Sequence, residues 1–182
     1  ESTDLMTVLD PVKHSFTEVP IPFCPNTPCV EPRELLEPSP YWGNEAISTA
    51  KAAAHSLMMD SKGRVWTASQ VREHESPAFC KQGSTHPSAI AFPVNSGSRA
   101  VNMYDPKTGK WTLVDMCASS LHLNFAPDAN NTLWIGNPGT DIVGWLNLKM
   151  FDETHDAQKS QGWTPLILDA NGNGKRDAYT EP

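Results

Sequence analysis

Near one end of the chain, oxygen-bearing side chains recur at alternate positions: Asp169, Asn171, Asn173, then Lys175, which offers only its backbone carbonyl, then Asp177. A hard divalent cation is held by oxygen donors. A glycine at the sixth position, here Gly174, lets a short loop turn all of them inward. The spacing therefore predicts a calcium ion bound by Asp169, Asn171, Asn173, Lys175 and Asp177. Two carboxylates only neutralise the ion, so the expected role is structural. The competing reading is a plain polar hairpin, since Asn-Gly is a favoured turn dipeptide and occurs twice in "ANGNGK".

Six histidines raise a second chemistry, and two of them are informative. His55 opens "HSLMMDSKGRVWTAS" (55–69) and His122 lies at the head of "LHLNFAPDANNTLWIG" (121–136), two similar stretches. If the histidines converge, they could ligate a transition metal or Mg2+, or act as an acid and base pair. The plainer reading makes them hydrogen-bonded residues at the tops of strands. Their distances to the following aspartate, Asp60 or Asp128, differ by one residue, which weighs against equivalence. His74 and His86 flank Cys80 in a long loop and are expected to be solvated; His14 and His155 carry no signal. No Gly-x-Ser-x-Gly elbow, phosphate loop or dinucleotide fingerprint is present.

The elements that must position these residues read as β. Each of the two stretches runs as histidine, short apolar strand, aspartate, turn, then an apolar residue and a tryptophan six positions beyond the aspartate. Between them "SRAVNMYDPKTGKWTLVD" (98–115) supplies two strands around a Pro/Gly turn, and "GWLNLKMFD" has room for the same part in the next unit. A period of about 65 residues with four short strands is the pattern of a β-propeller blade. Trp66, Trp111, Trp134 and Trp163 are then core residues, and Asp60, Asp105 and Asp128 are turn residues that accept from nearby amides. The extra length falls in the loop 71–97 and in residues 149–162, where a short surface helix ending at Gly162 is expected. Residues 44–55 are helical on propensity alone, though they feed a strand.

Before the first strand, residues 1–45 read as an extended arm, because many of the 16 prolines fall in 17–42 and each removes a backbone donor. Residues 46–182 carry the blades and the C-terminal loop. Cys24 and Cys29 could close the arm on itself. Cys80 and Cys117 are expected to staple the 71–97 loop to the strand ending "LVDMC", with a reactive thiol as the alternative. Disulfides would place the protein in the periplasm or outside the cell.

The chain has 182 residues, 38% of them hydrophobic and 19% charged, which suits a folded domain. A formal net charge of −7 argues against nucleic acid, whose affinity depends on clustered cations. No apolar run approaches the roughly 18 residues that span a bilayer, and the start at Glu1 is that expected of a processed product.

On these residues the chain resembles the blade repeat of streptogramin-lyase-like propellers, and more loosely NHL repeats and a group of exported bacterial propeller proteins. "HSLMMDSKGRVW" and "LHLNFAPDANNTLW" are similar to the inner part of their blade, and "YDPKTGKWTLVD" to the outer hairpin; the resemblance covers about residues 50–150. The C-terminal loop is similar to the short calcium hairpins of FG-GAP and integrin-type propellers rather than to an EF-hand, because position twelve is Thr180. The lyase resemblance implies a histidine on the channel face and a magnesium ion. The expected fold is therefore all-β, a propeller segment of two to three blades. Closure needs at least four blades, so the segment is expected to belong to a longer or assembled propeller, with a β-sandwich as the structural alternative. The expected partner is a protein or the remaining part of the propeller, with a small-molecule ligand as a further option. Two functions follow: a calcium- and disulfide-stabilised binding or structural module, or a lyase or metal-dependent oxidoreductase using His55 and His122.

Overall fold

Apolar residues alternate with polar ones across short segments bounded by Asp, Gly and Pro, and that pattern folds as antiparallel strands. The structure, a computed structural model, describes residues 4–23, 41, 43, 51–72 and 74–166. It is mostly β, with three antiparallel sheets, none of them closed on itself. The calcium-loop residues Asp169, Asn171, Asn173, Lys175 and Asp177 lie outside the described residues, as do Cys24, Cys29 and residues 44–50 of the stretch with helical propensity.

A two-stranded hairpin comes first: β1 (Leu5–Asp10) and β2 (Ser15–Pro20), in the register Leu5 to Pro20. Part of the segment expected to be an extended arm is thus paired. The Asp4 carboxylate accepts from the Lys51 and Ala52 amides, and Asn102 Nδ2 donates to the Pro22 carbonyl at 3.0 Å, so the hairpin is fastened to the rest at its open end, on both strands.

The second sheet in sequence is a meander of β3 (His55–Met59), β4 (Val65–Gln70), β5 (Arg99–Asp105) and β6 (Lys110–Val114), paired in that order. Its first turn is set by Asp60, whose carboxylate accepts from the Lys62 and Arg64 amides at 2.9 Å each, and by Gly63 at φ 80°. Its last turn is set by Asp105, which accepts from the Lys107 amide at 2.9 Å. A second meander follows: β7 (His122–Phe125), β8 (Leu133–Gly136), β9 (Ile142–Leu146) and β10 (Gln161–Pro165), again neighbours in chain order. Asp128 repeats the bonding of Asp60, accepting from the Asn130 and Thr132 amides at the same two offsets.

The two meanders lie face to face over one core. Trp66, Ala68, Val101, Met103 and Val114 from the first pack with Leu123, Leu133, Ile135 and Leu146 from the second. On its other face the first meander meets the hairpin, where Met6 and Ile21 pack with Val65, Tyr104 and Trp111. The layers are therefore hairpin, first meander, second meander.

Two expectations about the insertions change. In place of a single surface helix over 149–162 there are α2 (Leu148–Thr154) and α3 (Ala157–Ser160); in the loop 71–97, α1 (Pro87–Ala91) follows a short 3-10 turn (Ala78–Cys80). The chain breaks at His155, left-handed at φ 53°, and restarts at Asp156, whose side chain accepts from the Lys159 amide. Leu148 and Phe151 are buried in the shared core, so α2 is a packing element as well as a surface one. Gly162 continues into β10: a Cβ there would meet the Trp145 ring at 2.3 Å, so glycine lets the indole lie across the strand.

The four tryptophans also divide. Trp66 and Trp163 are buried and Trp111 is half-buried, but Trp134 is 42% exposed, against the expectation of a core residue. It occupies the same place after its aspartate as Trp66. The physical difference is that the second meander covers Trp66, whereas among the described residues no third sheet covers Trp134.

Candidate functional site

A one-residue bulge determines where the first histidine goes. The pairing of β3 with β4 shifts between His55 and Leu57, leaving Ser56 as the extra residue at φ 54°. The slip sets His55 opposite Ala68, two residues past Trp66, and His122 stands opposite Gly136, two residues past Trp134. The one-residue offset in sequence is thus absorbed, and the two histidines are equivalent by pairing.

The structure brings the histidines together. Their ring centroids lie 5.1 Å apart in an edge-to-face arrangement, His55 partly buried and His122 exposed. His55 Nδ1 is 3.0 Å from the Leu121 carbonyl. A carbonyl only accepts, so Nδ1 carries the proton and the neutral ring's lone pair belongs to Nε2. The bulged Ser56 hydroxyl accepts from the Leu123 amide at 3.3 Å, which ties β3 to β7 beside the pair.

Arg99 is the neighbouring residue that sequence reasoning did not single out. Its Nε donates to the Ser120 carbonyl at 2.8 Å and its Nη2 to the Ala53 carbonyl at 2.9 Å. Those carbonyls stand two residues before His122 and His55 respectively, so one guanidinium holds both approaches. Ala53 sits at φ 45°, and with Ser56 it gives the His55 segment two non-glycine residues in the left-handed region. Nothing in the pattern "GSRAVNMY" marks Arg99 as a clamp, because its partners are carbonyls 21 and 46 residues away.

Chemically, two imidazoles at this separation can share a proton network or supply two nitrogen ligands. Among the described residues no group of three or more His, Cys, Asp or Glu side chains is placed to hold a metal ion, so water or substrate would have to complete a metal shell there. Beside the pair, His122, Asn124, Trp134 and Val143 help to line a shallow depression of about 200 Å3.

The loop histidines differ from each other. His74 is exposed, but His86 is buried, correcting the expectation that both are solvated. Its ring stacks on Trp163 at 4.8 Å and 8°, Nδ1 accepts from the Ser88 amide at the start of α1, and Nε2 lies 3.2 Å from the Gln158 and Gln161 carbonyls. His86 is a structural peg. Cys80 and Cys117 form the expected disulfide, with Cα atoms 5.4 Å apart and both residues buried. It fixes the 71–97 loop to the connection between the meanders.

No protein-family model matches this chain, and no curated protein matches it.

Proposed function

We propose that the two meanders are neighbouring blades of a β-propeller and that the protein is a binding and structural module of an exported propeller. The observation that supports this reading is the likeness of the two four-stranded sheets. Each sheet is a four-stranded meander, opens on a histidine and turns on an aspartate that accepts from the amides two and four residues on. The two also stack with their first strands, β3 and β7, in contact, as inner strands are around an axis. The Cys80–Cys117 bond favours an oxidising compartment. Calcium at Asp169, Asn171, Asn173, Lys175 and Asp177 would stiffen the C-terminal loop, leaving the 71–97 loop face to meet a partner.

A second reading is an enzyme, favoured by one observation: His55 and His122 meet beside a contorted backbone. Metal analysis separates the two. For the module, purified protein carries calcium alone, and added calcium raises the melting temperature in a way that Asp169→Ala abolishes. For the enzyme, a transition metal or magnesium is present as well and is lost in His55→Ala and His122→Ala. Protein that neither binds nor responds to calcium removes the ion from the proposal, and a second metal shifts the reading to the enzyme.

A further inference from the structure

We propose that the face of the second meander left uncovered among the described residues docks a second copy of this chain, head to tail, against the outward face of that copy's β1–β2 hairpin. The inference rests on reading the two meanders as successive units of one stack.

The contact between the meanders shows that a face of this kind is covered within the chain. Trp66 projects from the first meander and is fully covered by the second; Trp134, at the equivalent position, projects from the second and is 42% exposed. Register places Trp134 beside Trp145 and Gly136 beside Val143, so these side chains share the outward face. The two indoles lie 5.8 Å apart. On one side of them is the 200 Å3 depression already described. On the other is a larger one of about 580 Å3, whose lining includes Pro87, Trp145, Met150 and Gly162. Such a face, an aromatic ridge between two hollows, the larger lined also by Ser88, Gln158 and Lys159, suits a sheet that projects bulky apolar side chains around a polar centre.

The opposite end of the stack has such a sheet. Met6 and Val19, paired across the hairpin, turn inward to the first meander, so Leu5, Leu9 and Phe16 are on the outward side, with the polar pair Thr7 and Glu18 between them. They are 39%, 67% and 65% exposed, with Leu9 and Phe16 directly paired. Removing such apolar surface from water is favourable, so the hairpin gains from a cover. The two end faces differ and lie at opposite ends of the layers. Contact between them is therefore heterologous, and it repeats from copy to copy into a ring or a filament. The net charge of −7 per chain opposes association, so salt should strengthen it.

The test is the mass of the purified chain by sedimentation equilibrium over a range of concentrations, for wild type, Trp134→Asp, Phe16→Asp and a mixture of the two variants. Wild type is expected to associate with a Kd below about 100 µM, and each variant alone at least about tenfold more weakly. The mixture retains one intact junction and should stop at a heterodimer. A wild-type chain that stays monomeric overturns the proposal. Association that survives either variant, or a mixture that stays monomeric, overturns it as well. Near-UV circular dichroism of the tryptophans, recorded in parallel, reports the internal stack. Lost association with an unchanged spectrum counts against the docking alone, whereas a wild-type spectrum without fixed tryptophan packing counts against the stacked-blade reading.

Discussion

Asp60 is the residue on which the first meander's opening turn depends. Besides the Lys62 and Arg64 amides, its carboxylate accepts from the Arg64 guanidinium at 2.6 Å and from the Trp66 indole at 2.9 Å, which joins the turn to the core. Arg64 and Lys62 also reach Asp152 on α2, so a turn of the first meander is bound to a helix of the second. Burial pushes the Asp60 carboxyl up, but the indole, amide and guanidinium donors outweigh it and hold it below the usual 3.8; Asp152 is lowered against burial by Arg64 and Lys62. A carboxylate depressed in the folded state contributes stability that is present above its unfolded value and lost as pH falls through its folded value. Stability should therefore decline below about pH 4, and Asp60→Ala should flatten that decline in urea melts recorded at several pH values. At neutral pH the same substitution should cost about 1–3 kcal/mol, since it removes the acceptor of the buried Trp66 indole and of the turn amides, while Arg64 keeps its pair with Asp152. The aspartates were legible in sequence as turn residues because an Asx turn needs only local neighbours. Ser56 was not, since a bulge is defined by what lies across the sheet. The His55–His122 equivalence was hidden with it.

Among the elements, the 71–97 loop is held by fastenings of different kinds, among them the Cys80–Cys117 bond, the His86 peg against Trp163, and Arg72, which donates to the Glu75 and Met116 carbonyls. The cysteines are 37 residues apart in sequence, so a Cys80→Ser/Cys117→Ser pair should lower stability by about 2–4 kcal/mol in denaturant titration. Hydrogen exchange should quicken in α1. A second expectation concerns Gly144 in β9, where a Cβ would stand 2.3 Å from that of Ala118. Gly144→Ala should cost about 1–3 kcal/mol by overpacking, read from the same titration. The strands themselves could be read from alternation and turn residues. The division of the 149–162 insertion into two helices could not, because the break comes from His155 adopting a left-handed cap rather than from a glycine or proline.

Across the whole molecule, one core receives side chains from both meanders and from α2, and no element of either sheet buries its apolar side alone. Thermal unfolding followed by far-UV and near-UV circular dichroism should therefore give coincident curves, one transition for both sheets. The two meanders are visible in sequence because each uses an aspartate turn between short strands taken in chain order. Whether a tryptophan is buried is a different matter: Trp66 and Trp134 have the same local context and opposite exposures, decided by which layer comes next.

The shared core also fixes what happens when the backbone is cut. Separate production of residues up to Ser119 and from Ser120 onward would leave Trp66 and Met103 bare on one piece and Leu133 and Ile135 bare on the other. Each half alone should precipitate. Made in the same cell, the halves should recombine, with Lys62, Arg64 and Asp152 rejoining across the nick.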